Sequence, residues 1–140
     1  SPSKEADARK LGASAFGLTS DEATFGRLKG AFDLIIDTIS APHDYNKYLG
    51  MLRLEGAMVL LGVPPAPTPV AATSLIFGRK ILTGSLIGGI AETQEMLDFC
   101  AEHGIVSDIE LIPVAKVNEA YERMMKGDVR YRFVLDMKTL

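Results

Sequence analysis

Apolar residues along this chain fall alternately into short, nearly continuous runs and into stripes at helical spacing. The runs Phe32 to Asp37, Ala57 to Gly62 and Ile81 to Ile87, with a weaker one around Ala15 to Leu18, are of strand length. Near-continuous apolar strands are those of a parallel sheet covered on both faces. Between them, Lys4 to Leu11 closes on Gly12, and Tyr45, Tyr48, Leu49 and Leu52 stand at i, i+3, i+4 and i+7. Both segments predict helices that bury one stripe on the sheet. Two more helices are expected from Thr93 to His103, closed by Gly104, and from Lys116 to Lys126, stopped by Gly127. The second carries Val117, Ala120, Tyr121, Met124 and Met125 on one face, and its methionines are expected in the core. Residues Val129 to Asp136 alternate in polarity and predict a last strand. Pro64 to Pro69 holds four prolines, which lack donors, and so predicts a surface loop.

The pattern is that of an α/β protein, and a length of 140 residues allows a real core. Fifteen basic and 18 acidic residues give a net charge of -3 without any block of one sign, so a nucleic-acid partner is not expected. One cysteine cannot form an internal disulfide. No apolar stretch has membrane-spanning length and no leader opens the chain, so a soluble cytoplasmic protein without a membrane partner is expected.

The run from Gly84 to Gly104, read with Gly78-Arg79-Lys80, Asn118 to Arg123 and Asp128 to Phe133, resembles the cinnamyl-alcohol-dehydrogenase branch of the zinc-dependent medium-chain alcohol dehydrogenases. The resemblance covers nearly all of the chain. It implies an oxidoreductase that uses NADP(H) and zinc on alcohols or aldehydes. The fold it implies is a partial Rossmann-type, doubly wound parallel sheet lacking its first two strands, plus a C-terminal strand returning to the catalytic domain. Residues 1–126 are expected to be the NADP-binding portion and residues 127–140 the returning strand. No two of the 13 glycines are separated by a single residue, so no G-x-G turn, the tight start of a dinucleotide fingerprint, exists here. By resemblance that loop and the zinc ligands are expected to precede Ser1, with the zinc bound outside this chain. Ser1 to Lys4 then follows strand two, the run at Ala15 is strand three, and Phe32 to Asp37 is strand four. The resemblance departs after Leu11-Gly12-Ala13, where Ser14-Ala15-Phe16-Gly17 follows and Gly17 weakens strand three.

Candidate binding residues follow from these placements. Ser1, Ser3 and Lys4 gather hydroxyls and an ammonium at a helix start, which suits a 2′-phosphate, and no acid precedes Glu5 to repel it. Ser3 as a plain helix cap is the alternative. Thr38, Ile39 and Ser40, with Gly62 and Val63, follow strand ends, where open parallel sheets bind ligands. The resemblance places these loops at the adenosine and nicotinamide ends. It also implies backbone contacts from Ser85, Leu86 and Ile87 to the carboxamide, and contact of Arg130 with the pyrophosphate. Cys100 and His103 are expected to pack rather than bind metal, since a zinc site needs at least three protein ligands. His43 is expected to be a loop or cap residue, and Asp33 and Asp37 turn and ligand-loop groups. The apolar segment 70–77 and the adjacent edge strand are expected to form a homodimer contact or, alternatively, to cover the protein's own sheet. A non-catalytic nucleotide-binding or assembly module is the other functional reading.

Overall fold

The computed structural model describes every residue from Ser1 to Leu140 and falls into two compact units, Ser1–Ile87 and Gly88–Leu140. In the first unit a 3-10 turn at Pro2–Lys4 leads into α1 (Glu5–Lys10) and α2 (Glu22–Arg27). Then come β1 (Phe32–Asp37), α3 (Tyr45–Met51), β2 (Leu52–Leu60), α4 (Ala72–Ile76) and β3 (Ile81–Gly84). The three strands form a fully parallel sheet in the order β1-β2-β3. The second unit holds α5 (Ile90–Glu102), β4 (Glu110–Pro113), α6 (Val117–Met125) and β5 (Phe133–Asp136), with β4 and β5 paired in parallel.

β1 matches its apolar run residue for residue. β2 starts earlier than expected and takes Leu52 from the predicted helix; its register against β1 shifts between Phe32 and Leu34. Glu55 has a φ of 62° beside this irregularity, and a Cβ on Gly56 would lie 3.1 Å from the Asp33 carbonyl oxygen. The expected strand around Ala15 to Leu18 does not form. Gly17 instead lies against α2, where an added Cβ would sit 3.1 Å from Thr24 Cγ2. Glycines do close the helices as expected: Gly12, Gly104 and Gly127 have φ values of 98°, 65° and 69°.

The core of the first unit is α3 on the sheet. Tyr45, Leu49, Leu52 and Met58 are buried together, and Phe32, Ile35, Val70, Leu75 and Leu82 pack against them. Burying a side chain such as Leu49 contributes about 1.5–3 kcal/mol. Along β1, Phe32 and Ile35 pack against this core while Leu34 and Ile36 are exposed, so the strand is covered only in part.

In the second unit Met124 and Met125 are exposed, contrary to their expected core placement, and Ala120 alone of α6 is buried. A two-stranded sheet is too narrow to cover a whole helical stripe. α5 likewise buries none of its residues. The last strand is shorter than its alternating pattern. Arg130 N–H donates to Glu110 Oε1 and Tyr131 N–H to the Asp108 carbonyl, outside the regular β4–β5 ladder. Arg123 binds Glu110 at 2.7 Å and Asp128 at 2.9 Å, and its guanidinium lies 4.8 Å from the centre of the Phe133 ring.

Candidate functional site at the strand ends

The carboxyl ends of β1, β2 and β3 bring together most of the candidate residues of the first unit. Asp37, the buried last residue of β1, is the knot. Its backbone carbonyl accepts from Leu61 N–H at 2.8 Å and Gly62 N–H at 3.1 Å, tying the loop after β2 to the end of β1. Its side chain accepts from Ile39 N–H at 2.9 Å, the local turn that a short acidic side chain favours. The loops then touch through backbone: a Cβ at Gly62 would lie 2.2 Å from the Ile39 carbonyl oxygen. The third loop joins by Ser85 N–H, which donates to the Leu60 carbonyl at 3.1 Å.

Thr38, Ile39, Ser40, Val63, Ser85, Leu86 and Ile87 are all exposed along this rim, Leu86 and Ile87 by 84% and 89%. Ser85 Oγ donates to the Leu86 carbonyl at 3.2 Å. The expected strand through Ile87 therefore stops at Gly84, leaving the residues after it as a loop. A ligand at this end would meet closely spaced backbone and open side chains.

His43 is the residue that sequence reasoning undervalued. Its Nε2 lies 2.7 Å from Asp37 Oδ2 and its Nδ1 lies 2.8 Å from the Ala41 carbonyl oxygen. Tyr45 and Tyr48 stand edge-on to the ring at 4.9 and 5.4 Å. Burial raises the pKa of the Tyr48 hydroxyl, a hydrogen bond with Thr19 opposes the shift, and the charge of Asp37 adds to it. The signal available in the sequence was an acid ending a strand and a histidine six residues on, at the far side of a short loop.

Ser1, Ser3 and Lys4 are exposed on the 3-10 turn, and the two hydroxyls pair at 2.7 Å. Neither serine caps a helix: the residue preceding α1 is Lys4, which makes no side-chain cap bond. Arg130 belongs to the second unit, where its guanidinium lies 6.0 Å from the Tyr131 ring centre. Cys100 and His103 are not core residues either. Cys100 is half-buried with Sγ 3.7 Å from Met96 Sδ, and His103 bonds the Phe99 carbonyl and stacks on its ring at 4.0 Å. Asp33 pairs with Arg53 on the surface.

Comparison with known proteins places this geometry. The family model for zinc-binding dehydrogenases matches residues 1–102. An NADP-dependent alcohol dehydrogenase C of Mycolicibacterium smegmatis is 56% identical over 98% of this chain and 39% of its own length. A probable formaldehyde dehydrogenase of Bacillus subtilis is 53% identical over 100% of this chain and 40% of its own. Among solved structures, a cinnamyl alcohol dehydrogenase of Sorghum bicolor superposes with a TM-score of 0.91 at 42% identity, covering 97% of this chain and 39% of that one. A CAD from Helicobacter pylori complexed with NADP(H) gives 0.83 at 35% identity, over 99% and 39%. The chain thus spans about two-fifths of the length of its curated relatives. It belongs to the zinc-binding dehydrogenase family and corresponds to a portion of its cinnamyl-alcohol-dehydrogenase-like members.

Proposed function

We propose that this chain is the cofactor-domain portion of an NADP(H)-dependent, zinc-dependent alcohol dehydrogenase or aldehyde reductase, which transfers hydride between nicotinamide and an alcohol or aldehyde. The observation that carries the reading is the convergence of three exposed loops at the carboxyl ends of parallel strands, held by backbone contact between Ile39 and Gly62. That is where an open parallel sheet receives a dinucleotide. The dehydrogenase names of the relatives favour an enzyme over a non-catalytic module. Zinc, bound outside this chain, polarises the carbonyl as a Lewis acid.

Thr38, Ile39, Ser40, Gly62 and Val63 line the adenosine and nicotinamide ends in this reading, and Ser85, Leu86 and Ile87 offer backbone groups to the carboxamide. Arg130 reaches the pyrophosphate. Ser1, Ser3 and Lys4 take the 2′-phosphate; their exposed, mutually bonded hydroxyls and the neighbouring ammonium suit a dianion. Residues 1–126 serve the cofactor domain, and residues 127–140 with β5 return to the catalytic domain. The protein works in the cytoplasm as a homodimer joined through segment 70–77 and the edge strand β3. No helix is long and apolar enough to cross a membrane.

The test is cofactor selectivity in the intact protein. Ser1→Ala combined with Lys4→Ala removes charge-assisted contacts each worth about 1.5–3 kcal/mol and should weaken NADPH more than tenfold. NADH should change little. Equal losses for the two dinucleotides would remove the 2′-phosphate assignment.

A further inference from the structure

We propose that His43 is a positioning residue of the cofactor loop and acts as an imidazolium with a proton on each ring nitrogen. Nδ1 faces the Ala41 carbonyl oxygen at 2.8 Å, and Nε2 faces Asp37 Oδ2 at 2.7 Å. A carbonyl and a carboxylate oxygen only accept, so each nitrogen must donate. A neutral ring carries one N–H and would leave one of these contacts as lone pair against lone pair. Water is poorly placed to relieve it at Nε2, because the side chains of His43 and Asp37 are only 12% and 3% exposed and their contact is part-buried.

Asp37 is the one carboxylate bonded to the ring, and its other oxygen is already committed to Ile39 N–H. The remaining titratable groups around the ring come from the start of α3. They are Tyr45 and Tyr48 edge-on, Asp44 next in the chain, and Lys47, which is paired with Glu22.

The function of the bridge follows from where it is anchored. Residues 38–41 lie outside the ladder and are exposed, so packing does not set their path. Three points do: Asp37 at the strand end, the Ile39 N–H, and the Ala41 carbonyl that His43 pulls back toward the strand. Ile39 is also the backbone against which Gly62 rests. His43 therefore fixes two of the three loops. The inference rests on the reading of these loops as the cofactor site.

The test uses the intact protein with ¹⁵N-labelled histidine, NADPH and NADH dissociation constants from nicotinamide fluorescence, and thermal melting without cofactor. At neutral pH the wild-type His43 ring should show two protonated nitrogens. His43→Ala should raise both dissociation constants alike by about tenfold and lower the melting midpoint, because the loop loses two strong hydrogen bonds and the buried Asp37 carboxylate loses its partner. Asp37→Asn is the discriminating variant. Its amide can donate to a neutral Nε2 while its oxygen still accepts from Ile39. Binding should stay within about threefold of wild type, with a singly protonated ring. If His43→Ala does not fold, the two ring spectra and the Asp37→Asn affinity decide the matter. Unchanged affinity in His43→Ala, a singly protonated wild-type ring, or Asp37→Asn with two ring protons or binding as weak as His43→Ala overturns the role and leaves the site assignment standing. A wild-type protein that binds neither dinucleotide overturns both.

Discussion

At position 62 a side chain has nowhere to go. The contact at 2.2 Å is with backbone, the Ile39 carbonyl, so relief requires moving the loop after β1 rather than turning a flexible side chain. Gly62→Ala should cost about 1–3 kcal/mol in chemical denaturation of the intact protein and weaken NADPH as well. An unchanged midpoint would mean that the two loops do not touch in solution. A second residue-scale prediction concerns Arg123. Glu110 is held below its ordinary value of 4.5, first by the Arg130 N–H and then by the Arg123 guanidinium. Asp128 is held below 3.8, chiefly by its hydrogen bond with Arg123. Both groups prefer the ionised state when folded, so their stabilisation is complete above those ordinary values and is lost as pH falls through the lowered ones. Acid should therefore loosen β4 and the end of α6 before neutral conditions do. In Arg123→Met the amide protection of these elements should fall at neutral pH and lose much of its acid dependence; protection that titrates as in wild type would remove Arg123 as the cause.

At the scale of elements, α3 is the piece that organises the first unit, and Asn46 shows how. Its Nδ2 donates to the Pro69 carbonyl at 3.2 Å, and its Oδ1 accepts from Ala71 N–H at 2.9 Å and Ser74 Oγ at 3.1 Å. One side chain thus anchors both the end of the Pro-rich loop and the start of α4, which has no side-chain cap of its own. Asn46→Ala should cost about 1–3 kcal/mol and deprotect α4 amides while β1 and β2 keep theirs. Uniform loss across the sheet would argue against a local anchor. The sequence was most legible where one local rule governs an element. β1 follows from a nearly continuous apolar run, and α1, α5 and α6 from stripes closed by glycines that adopt positive φ. It was least legible where a distant residue decides. α4 has five residues and depends on Asn46 across the chain, and β4 has four with an acid at its start, so neither carries a periodicity. The run at Ala15 reads as a strand but has no neighbour here to pair with. For the site, strand-end loops were readable from apolar runs. The His43 bridge was not, because six residues of sequence do not reveal that a loop folds back.

For the whole molecule, the apolar residues that remain uncovered carry the argument. Leu34 and Ile36 of β1, Ile81 of β3, and Ile90 and Phe99 of α5 are all more than half exposed. A nearly continuous apolar run is the signature of a strand buried on both faces, and these residues cover only part of the length of their relatives. Segment 70–77 separates the two roles that apolar residues play here. Val70 and Leu75 turn inward against the core, whereas Ile76 and Phe77 stand 67% and 83% exposed beside β3, an edge of its sheet. An open edge flanked by apolar side chains is a place where a second chain adds. Because a twofold contact presents the same patch from both subunits, one substitution strikes the interface twice. In the homodimer proposed above, Ile76→Asp in the intact protein should therefore shift sedimentation from dimer toward monomer. Ile76 is not part of the buried cluster, so the circular dichroism spectrum and the melting of the remaining monomer should stay close to wild type. Leu75→Asp, which buries a charge against that cluster, should instead unfold the first unit. An Ile76→Asp protein that remains dimeric, or that unfolds as Leu75→Asp does, would show that the outward half of this segment is not where two copies meet.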